Sequence, residues 1–392
     1  MKTMPDTAAA LHATIGQRVD LIDTPAAVVD LDALERNIQR MAEFARKHQV
    51  RWRPHAKMHK CAELALQLQQ AGATGACVQK VSEAEALAAG GVADLYISNE
   101  VIAPAKLLRV ARLAQQLAAR GGRLAIAVDS AEGIARLAEA MDGAAGDAVI
   151  DVFVEIDVGQ GRCGVPPGEA AVPLAQAVAR HARLRFAGLH AYQGHAQHLR
   201  GAAARRDAIA AAVAAARTTR SAIESAGLAV PLVTGAGTGT LVHEAASGVY
   251  GELQAGSFLF MDADYAANER EPAQPAFEHA LFIKTQVISC RDTHAVCDAG
   301  HKSHAIDSGL PQVAFLPPGR ALRYANGGDE HGLLFADGDR ARLPAIGRML
   351  WLVPGHCDPT VNLHGHLIGV RGGLAHGVVE RILRVDARGA VT

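Results

Sequence analysis

The chain has 392 residues, 49% of them hydrophobic and only 4% aromatic, with 39 glycines. Its formal net charge of −1 leaves neither a nucleic-acid footprint nor a basic membrane-surface stripe, and the apolar content excludes a disordered chain. The length favours two domains over a single core. Six cysteines without paired spacing argue for reduced thiols and a cytoplasmic home. No apolar run of signal-peptide or membrane-spanning length is found.

In chain order, 25–29 is the first strand candidate. A helix follows it, with Leu34, Ile38, Met41, Ala42 and Ala45 on one face at helical spacing. Strand and helix then alternate, with strand candidates at 51–54, 75–78, 95–98, 124–128, 152–156, 186–190, 232–234 and 252–254. Ser82-Glu83-Ala84-Glu85 reads as a capping box opening one helix, which Gly90-Gly91 closes, and 202–226 is a long alanine-rich helix. Eight β units over roughly 200 residues match a TIM (β/α)8 barrel rather than a doubly wound sheet; the last two strands are short and glycine-flanked, and an open doubly wound sheet is the alternative they leave. Beyond Asp264 the segment from Asn268 to Pro275 is charged and proline-bearing, as at a domain junction. Short strands between Gly, Asp and Pro turns then follow at 282–288, 295–298, 333–335, 349–353, 367–370 and 378–385. The expectation is a barrel over 24–265 and a mostly β domain made of 1–23 and 266–392, on which 25–29 could dock.

Four stretches could carry chemistry. Lys57, in Arg53-Pro54-His55-Ala56-Lys57-Met58-His59-Lys60, falls where a strand ends and a helix is about to begin, on the face where barrel loops gather. Cationic neighbours His55 and His59, with partial burial, would disfavour its ammonium form, and a neutral amine is what Schiff-base chemistry needs. A solvated basic loop is the plain alternative. Thr234-Gly235-Ala236-Gly237-Thr238-Gly239-Thr240 follows the seventh strand and Gln254-Ala255-Gly256-Ser257 the eighth, where barrels commonly bind a phosphate; a tight turn is the alternative. Tyr192, after the sixth strand, could lie against a flat cofactor, and Arg162, after the fifth, could meet an oxyanion. A packed rim tyrosine and a solvated arginine are the bland readings. Finally, Pro354-Gly355-His356-Cys357-Asp358-Pro359-Thr360, if extended, points His356 and Asp358 to one side and Cys357 to the other. An imidazole and a carboxylate together make half a site for a divalent ion.

With these motifs in hand, the chain resembles the D-threonine aldolases, members of the fold-type III pyridoxal-phosphate group that also holds alanine racemase and the eukaryotic D-serine dehydratases. The resemblance runs from Thr24-Pro25-Ala26 through Gly369-Val370-Arg371. It implies a pyridoxal-phosphate barrel plus a β domain, acting as a homodimer. Lys57 would hold the cofactor, with Arg162, Tyr192, Thr238, Gly256 and Ser257 as further cofactor contacts. His356 and Asp358 would bind a divalent metal, commonly manganese. The dehydratase relatives carry cysteine at the Asp358 position and use zinc. The reaction implied is cleavage of a D-3-hydroxy-amino acid to glycine and an aldehyde. His59, two residues beyond Lys57, is the candidate base. Competing expectations are a metal-dependent D-serine or D-3-hydroxyaspartate dehydratase, a non-catalytic pyridoxal-phosphate carrier and a sugar-phosphate-binding barrel.

Overall fold

The computed structural model describes residues 11–316, 321–336 and 342–392. The first strand, β1 (Ala26–Asp30), leads into the helix Leu31–His48. Eight strands then follow: β2 (Arg51–Trp52), β3 (Ala76–Val78), β4 (Asp94–Ile97), β5 (Arg123–Val128), β6 (Ile150–Glu155), β7 (Leu184–Ala191), β8 (Val233–Gly235) and β9 (Glu252–Leu253). All pair in parallel in the order β2-β9-β8-β7-β6-β5-β4-β3. A parallel bridge from His55 to Cys77 joins the two ends, so the sheet closes on itself.

Period-two alternation sorts the strand residues. Leu124, Ile126 and Val128 pack outward with the helices, as do Leu95, Ile97, Ile150, Val152 and Val154. Cys77, Tyr96, Ala125, Ala127 and Phe153 form a separate cluster inside the barrel. The same parity turns Glu155 inward. In β7 the alternation is reset by a bulge: Val152 pairs with Phe186 but Phe153 with Gly188. Gly188 has φ +135, and a Cβ there would lie 1.8 Å from Leu232 O, so only glycine fits. After the bulge Leu189 faces the helices and His190 the interior.

The helix Val81–Ala89 starts two residues earlier than the Ser82 capping box implies. Lys80 is its N-cap residue, and Glu83 Oε2 accepts from Lys80 N at 3.1 Å and Gln79 N at 2.9 Å. The long alanine-rich helix is Ala202–Ser225.

The remaining strands are β10 (Leu281–Cys290), β11 (Ala295–Cys297), β12 (Gln312–Ala314), β13 (Leu322–Asn326), β14 (Gly332–Ala336), β15 (Met349–Val353), β16 (His366–Arg371) and β17 (Val378–Arg384). With β1 they form a nine-stranded sheet. β1 runs antiparallel to β10 and parallel to β16, burying Val28 with Phe282, Val353, Ile368 and Val370. That pairing is why the compact units divide at Arg40 rather than at residue 24. The β unit comprises Met1–Arg40, Ser257–Ala267 and Ala276–Arg388, and the barrel unit Met41–Gly256, Asn268–Pro275 and Gly389–Thr392. The architecture is a TIM-like barrel with a mostly β C-terminal domain. No helix among the described residues is long and apolar enough to cross a membrane.

Candidate active site

In the barrel unit, Lys57 sits on the 3-10 turn Ala56–Met58, just past the end of β2. Its backbone N–H donates to His55 Nδ1 at 3.3 Å. His55 Nε2 meets Gln79 Nε2 at 3.1 Å and the Ser98 hydroxyl at 3.3 Å. Burial first, and then the Lys57 charge, push the His55 imidazole well below its ordinary range. His55 is therefore neutral, and the expectation that it presses on Lys57 as a cation is corrected. His59 is buried, and its Nδ1 accepts from Cys61 N at 3.1 Å, which leaves Nε2 as the atom able to handle a proton.

Arg162 and Tyr192 come together, the guanidinium carbon 5.9 Å from the ring centroid, within the range of a cation–π contact. The loop carrying Arg162 is tightly folded. Asp157 Oδ1 accepts from Gly159 N and Gly161 N, and an Ile156–Val165 bridge brings the chain back to β6. After β8, Ala236 adopts φ 72, an uncommon conformation for a residue with a side chain. Thr238 is buried, and its carbonyl accepts from Gln274 Nε2 at 3.3 Å. A Cβ on Gly256 would stand 2.6 Å from His55 O, so glycine is what lets this loop pass against the lysine-bearing segment. Ser257 opens the turn Ser257–Leu259, in the β unit.

Inside the barrel a buried polar chain crosses from one end to the other. Arg53, between Asp94 and Glu252, holds the N-terminal end. Thr234 Oγ1 donates to Glu252 at 3.0 Å, and Gln254 Nε2 donates to Thr234 Oγ1 at 2.9 Å. His190 Nδ1 then meets both Gln254 Nε2, at 3.2 Å, and the Tyr96 hydroxyl, at 3.0 Å. With both donating to Nδ1, the proton of the neutral ring belongs on Nε2, which faces Glu155 Oε2 at 3.9 Å. Burial and then Arg162 push His190 down to about 3. Glu155 is 4% exposed; burial, and next the Glu100 charge, hold its carboxyl well above the usual carboxylate range.

In the β unit, the stretch expected to be extended is helical. Cys357–Asn362 forms a short helix with His356 as its N-cap residue. Pro359 fits in its first turn, where no N–H is needed. The strand argument for His356 and Asp358 is thus replaced by a helix start, which nonetheless places His356 Nε2 3.7 Å from Asp358 Oδ1. His356 Nδ1 faces the Ser308 hydroxyl at 3.2 Å and the Asp307 carboxylate at 3.4 Å. Cys357 is buried, its N–H on Asp262 Oδ2 at 3.0 Å and its thiol on Met261 O at 3.2 Å. Asp262 is itself fully buried, and burial raises its carboxyl above the ordinary range, Asp358 adding to the effect.

The chemistry of these donors fits the groups that the resemblance implies. An imidazole nitrogen and a carboxylate oxygen at helix-start spacing suit a divalent ion. The Asp307 and Ser308 contacts on the other ring nitrogen are the kind that orient a metal-ligating histidine. Asp262 and Asp358 also concentrate negative charge that a cation would relieve. In the barrel, an amine at a strand end, an aromatic ring beside a guanidinium, and a glycine–threonine loop after β8 suit a phosphorylated aromatic aldehyde. Sequence reasoning missed Asp262, Asp307, Glu155, His190 and Glu100. Strand parity would have pointed to Glu155.

Comparison with known proteins bears on the whole chain. Residues 29–264 match the family model "Alanine racemase, N-terminal domain", and 280–370 match "Putative serine dehydratase domain". A D-threonine aldolase from Arthrobacter sp is 43% identical, covering 95% of both chains. The chain belongs to the D-threonine aldolase family. A 3-hydroxy-D-aspartate aldolase from Paracoccus denitrificans (strain Pd 1222) is also 43% identical, over 94% of this chain and 92% of that one. The crystal structure of D-threonine aldolase from Filomicrobium marinum superposes with TM-score 0.90 at 46% identity, covering 96% of this chain and 99% of that one. Membership makes this protein an aldolase, a carbon–carbon lyase on the alanine-racemase fold.

Proposed function

We propose that the protein cleaves D-threonine and related D-3-hydroxy-amino acids to glycine and an aldehyde, with pyridoxal phosphate on Lys57 and a divalent metal, manganese, at His356 and Asp358. The observation that carries this reading is the pair of donor sets: an amine at the mouth of a barrel strand, and an imidazole and carboxylate 3.7 Å apart at a helix start. When bound, pyridoxal phosphate supplies an electron sink for the bond-breaking carbon and the metal supplies a Lewis acid for the substrate hydroxyl.

The chain's own residues supply the rest. His59 takes the proton of the β-hydroxyl at Nε2, since Nδ1 is engaged by the Cys61 N–H. Arg162 and Tyr192 position the cofactor ring, and Thr238, Gly256 and Ser257 hold the phosphate end. Asp307 and Ser308 fix the ring of His356 so that Nε2 is presented beside Asp358. An oxygen donor at Asp358 favours a hard, exchangeable ion. The protein works in the cytoplasm as a homodimer, the commonest closed assembly.

The dehydratase reading draws support from the match of 280–370 to a putative serine dehydratase domain. One assay separates the two. With D-threonine and Mn²⁺ the aldolase reading expects glycine and acetaldehyde, stopped by chelator and reduced on the order of a hundredfold in Asp358→Ala. 2-Oxobutanoate and ammonia would instead establish a dehydratase. A protein that binds pyridoxal phosphate and turns over neither would be a carrier.

A further inference from the structure

The loops at the C-terminal ends of β4, β5 and β6 gather a second set of donors, apart from His356 and Asp358. Glu100 follows β4, Asp129 follows β5, and Cys163 lies on the folded loop after β6. One ligand-capable atom from each lies within 4.8 Å of the others. Gly164 N donates to Asp129 Oδ2 at 3.1 Å, fixing that carboxylate from behind. The loop can turn this sharply because Gly164 has φ +97; a Cβ there would stand 2.6 Å from Asp157 N.

A cluster of acids beside a thiol is common enough without a ligand. Here an independent feature adds to it. Glu155, at the inward-facing end of β6, is 4% exposed, and its Oε2 has no hydrogen-bond partner among the described residues. Both Glu100 oxygens are likewise buried, with the Glu155 carboxyl and the Cys163 thiol beside them. The half-exposed Arg162 guanidinium stands 4.0 Å from Glu155 Oε1, beyond hydrogen-bond reach, and His190 is neutral. Crowded this way, the Glu155 carboxyl keeps its proton against Glu100, and a cation bound between the donors would favour the loss of that proton to solvent.

We propose that Glu100, Asp129 and Cys163, with Glu155 beside them, form a second divalent-cation site at the barrel mouth. A thiolate among carboxylates selects an ion of borderline softness, zinc being the natural probe. Ligand bonds of about 2.0–2.3 Å require the donors to close in modestly, which loop-borne side chains can do. Binding releases the Cys163 proton to solvent.

The test uses the full chain with His356→Ala and Asp358→Ala combined, which removes the other candidate metal site. After chelator treatment, equilibrium dialysis against zinc alone should leave one zinc per chain. Adding Glu100→Gln or Cys163→Ser should weaken that binding at least about tenfold, the scale at which even supporting residues of metal sites act. Cadmium in place of zinc should bring an ultraviolet thiolate-to-metal absorption that disappears in Cys163→Ser. Melting curves in chelator identify any variant that fails to fold, and the near-isosteric Asp129→Asn then stands in for it. If the doubly substituted parent retains no zinc, or if the Glu100 and Cys163 variants bind as it does, the site does not exist.

Discussion

The two ends of this barrel treat buried acids in opposite ways. At the N-terminal end, Glu252 and Asp94 share the buried guanidinium of Arg53, and Thr234 satisfies Glu252 further. At the C-terminal end, Glu100 and Glu155 have buried oxygens that no guanidinium or hydroxyl reaches among the described residues, and the two carboxyls rest against each other instead. The same fold, along the same polar chain through Gln254 and His190, gives its acids a buried guanidinium at the base and leaves them crowded together at the mouth. Stability is the business of the first arrangement; the second is tolerated because ligands meet the chain there.

Three substitutions sharpen that contrast. The largest effect belongs to the mouth. Lys57→Ala should abolish turnover and the visible absorbance acquired with pyridoxal phosphate, while leaving the thermal melt of the apoprotein close to the parent's. Wild-type protein that stays colourless with pyridoxal phosphate would remove the basis of the functional reading. At the base, Arg53→Met should cost about 3–5 kcal/mol, the usual penalty for leaving one side of a buried ion pair unpaired. Urea unfolding would measure it; a loss below about 1 kcal/mol would mean that the base is not held by that guanidinium.

A third acid tests the intermediate case, held by a hydroxyl alone. Glu244 is fully buried, accepts from Thr240 Oγ1 at 2.7 Å, and burial raises its carboxyl to about 7. Because the native pKa lies above the ordinary 4.5, the folded state holds this proton more tightly than the unfolded chain. Its contribution to stability is present below pH 4.5, is lost as pH rises toward 7, and is level above that. Glu244→Gln should therefore flatten the stability profile between about pH 5 and 7 and gain roughly 2–3 kcal/mol at pH 8. A profile of unchanged slope would show that Glu244 is ionised in the native state.

Much of the barrel was legible because each strand is a short apolar run between helices with their own periodicity, as in Leu124 to Val128. Lys57 could be placed because β2 and the following helix, Ala62–Gln70, bracket it. The stretch from His356 was misread because a six-residue helix has too few turns to show a 3.6-residue pattern, and Pro359 looks like a breaker unless the helix start is already known. β12 and β13 were missed, being short and mostly half-exposed or exposed, with little alternation to detect. Glu100 and Glu155 left a fainter trace. Glu155 ends an otherwise apolar strand, and only knowing which parity faces inward gives its carboxylate a meaning.

The bulge at Gly188 uncouples chain length from side-chain direction. Taking out the extra residue, Ala187, would leave Phe186 and Gly188 opposite Val152 and Phe153 in plain alternation, with Leu189 still among the helices and His190 still inside; a strand that kept Ala187 but paired without the bulge would instead turn Leu189 into the barrel and His190 out. Losing the bulge without losing the residue would conserve every side chain named in the active site and yet exchange an imidazole for an isobutyl group at the centre of the polar chain. Among relatives, a one-residue gap at this point would therefore leave the link intact, whereas a larger residue in place of Gly188 with no gap would mark a lineage in which it has been cut, even where all the catalytic letters still align.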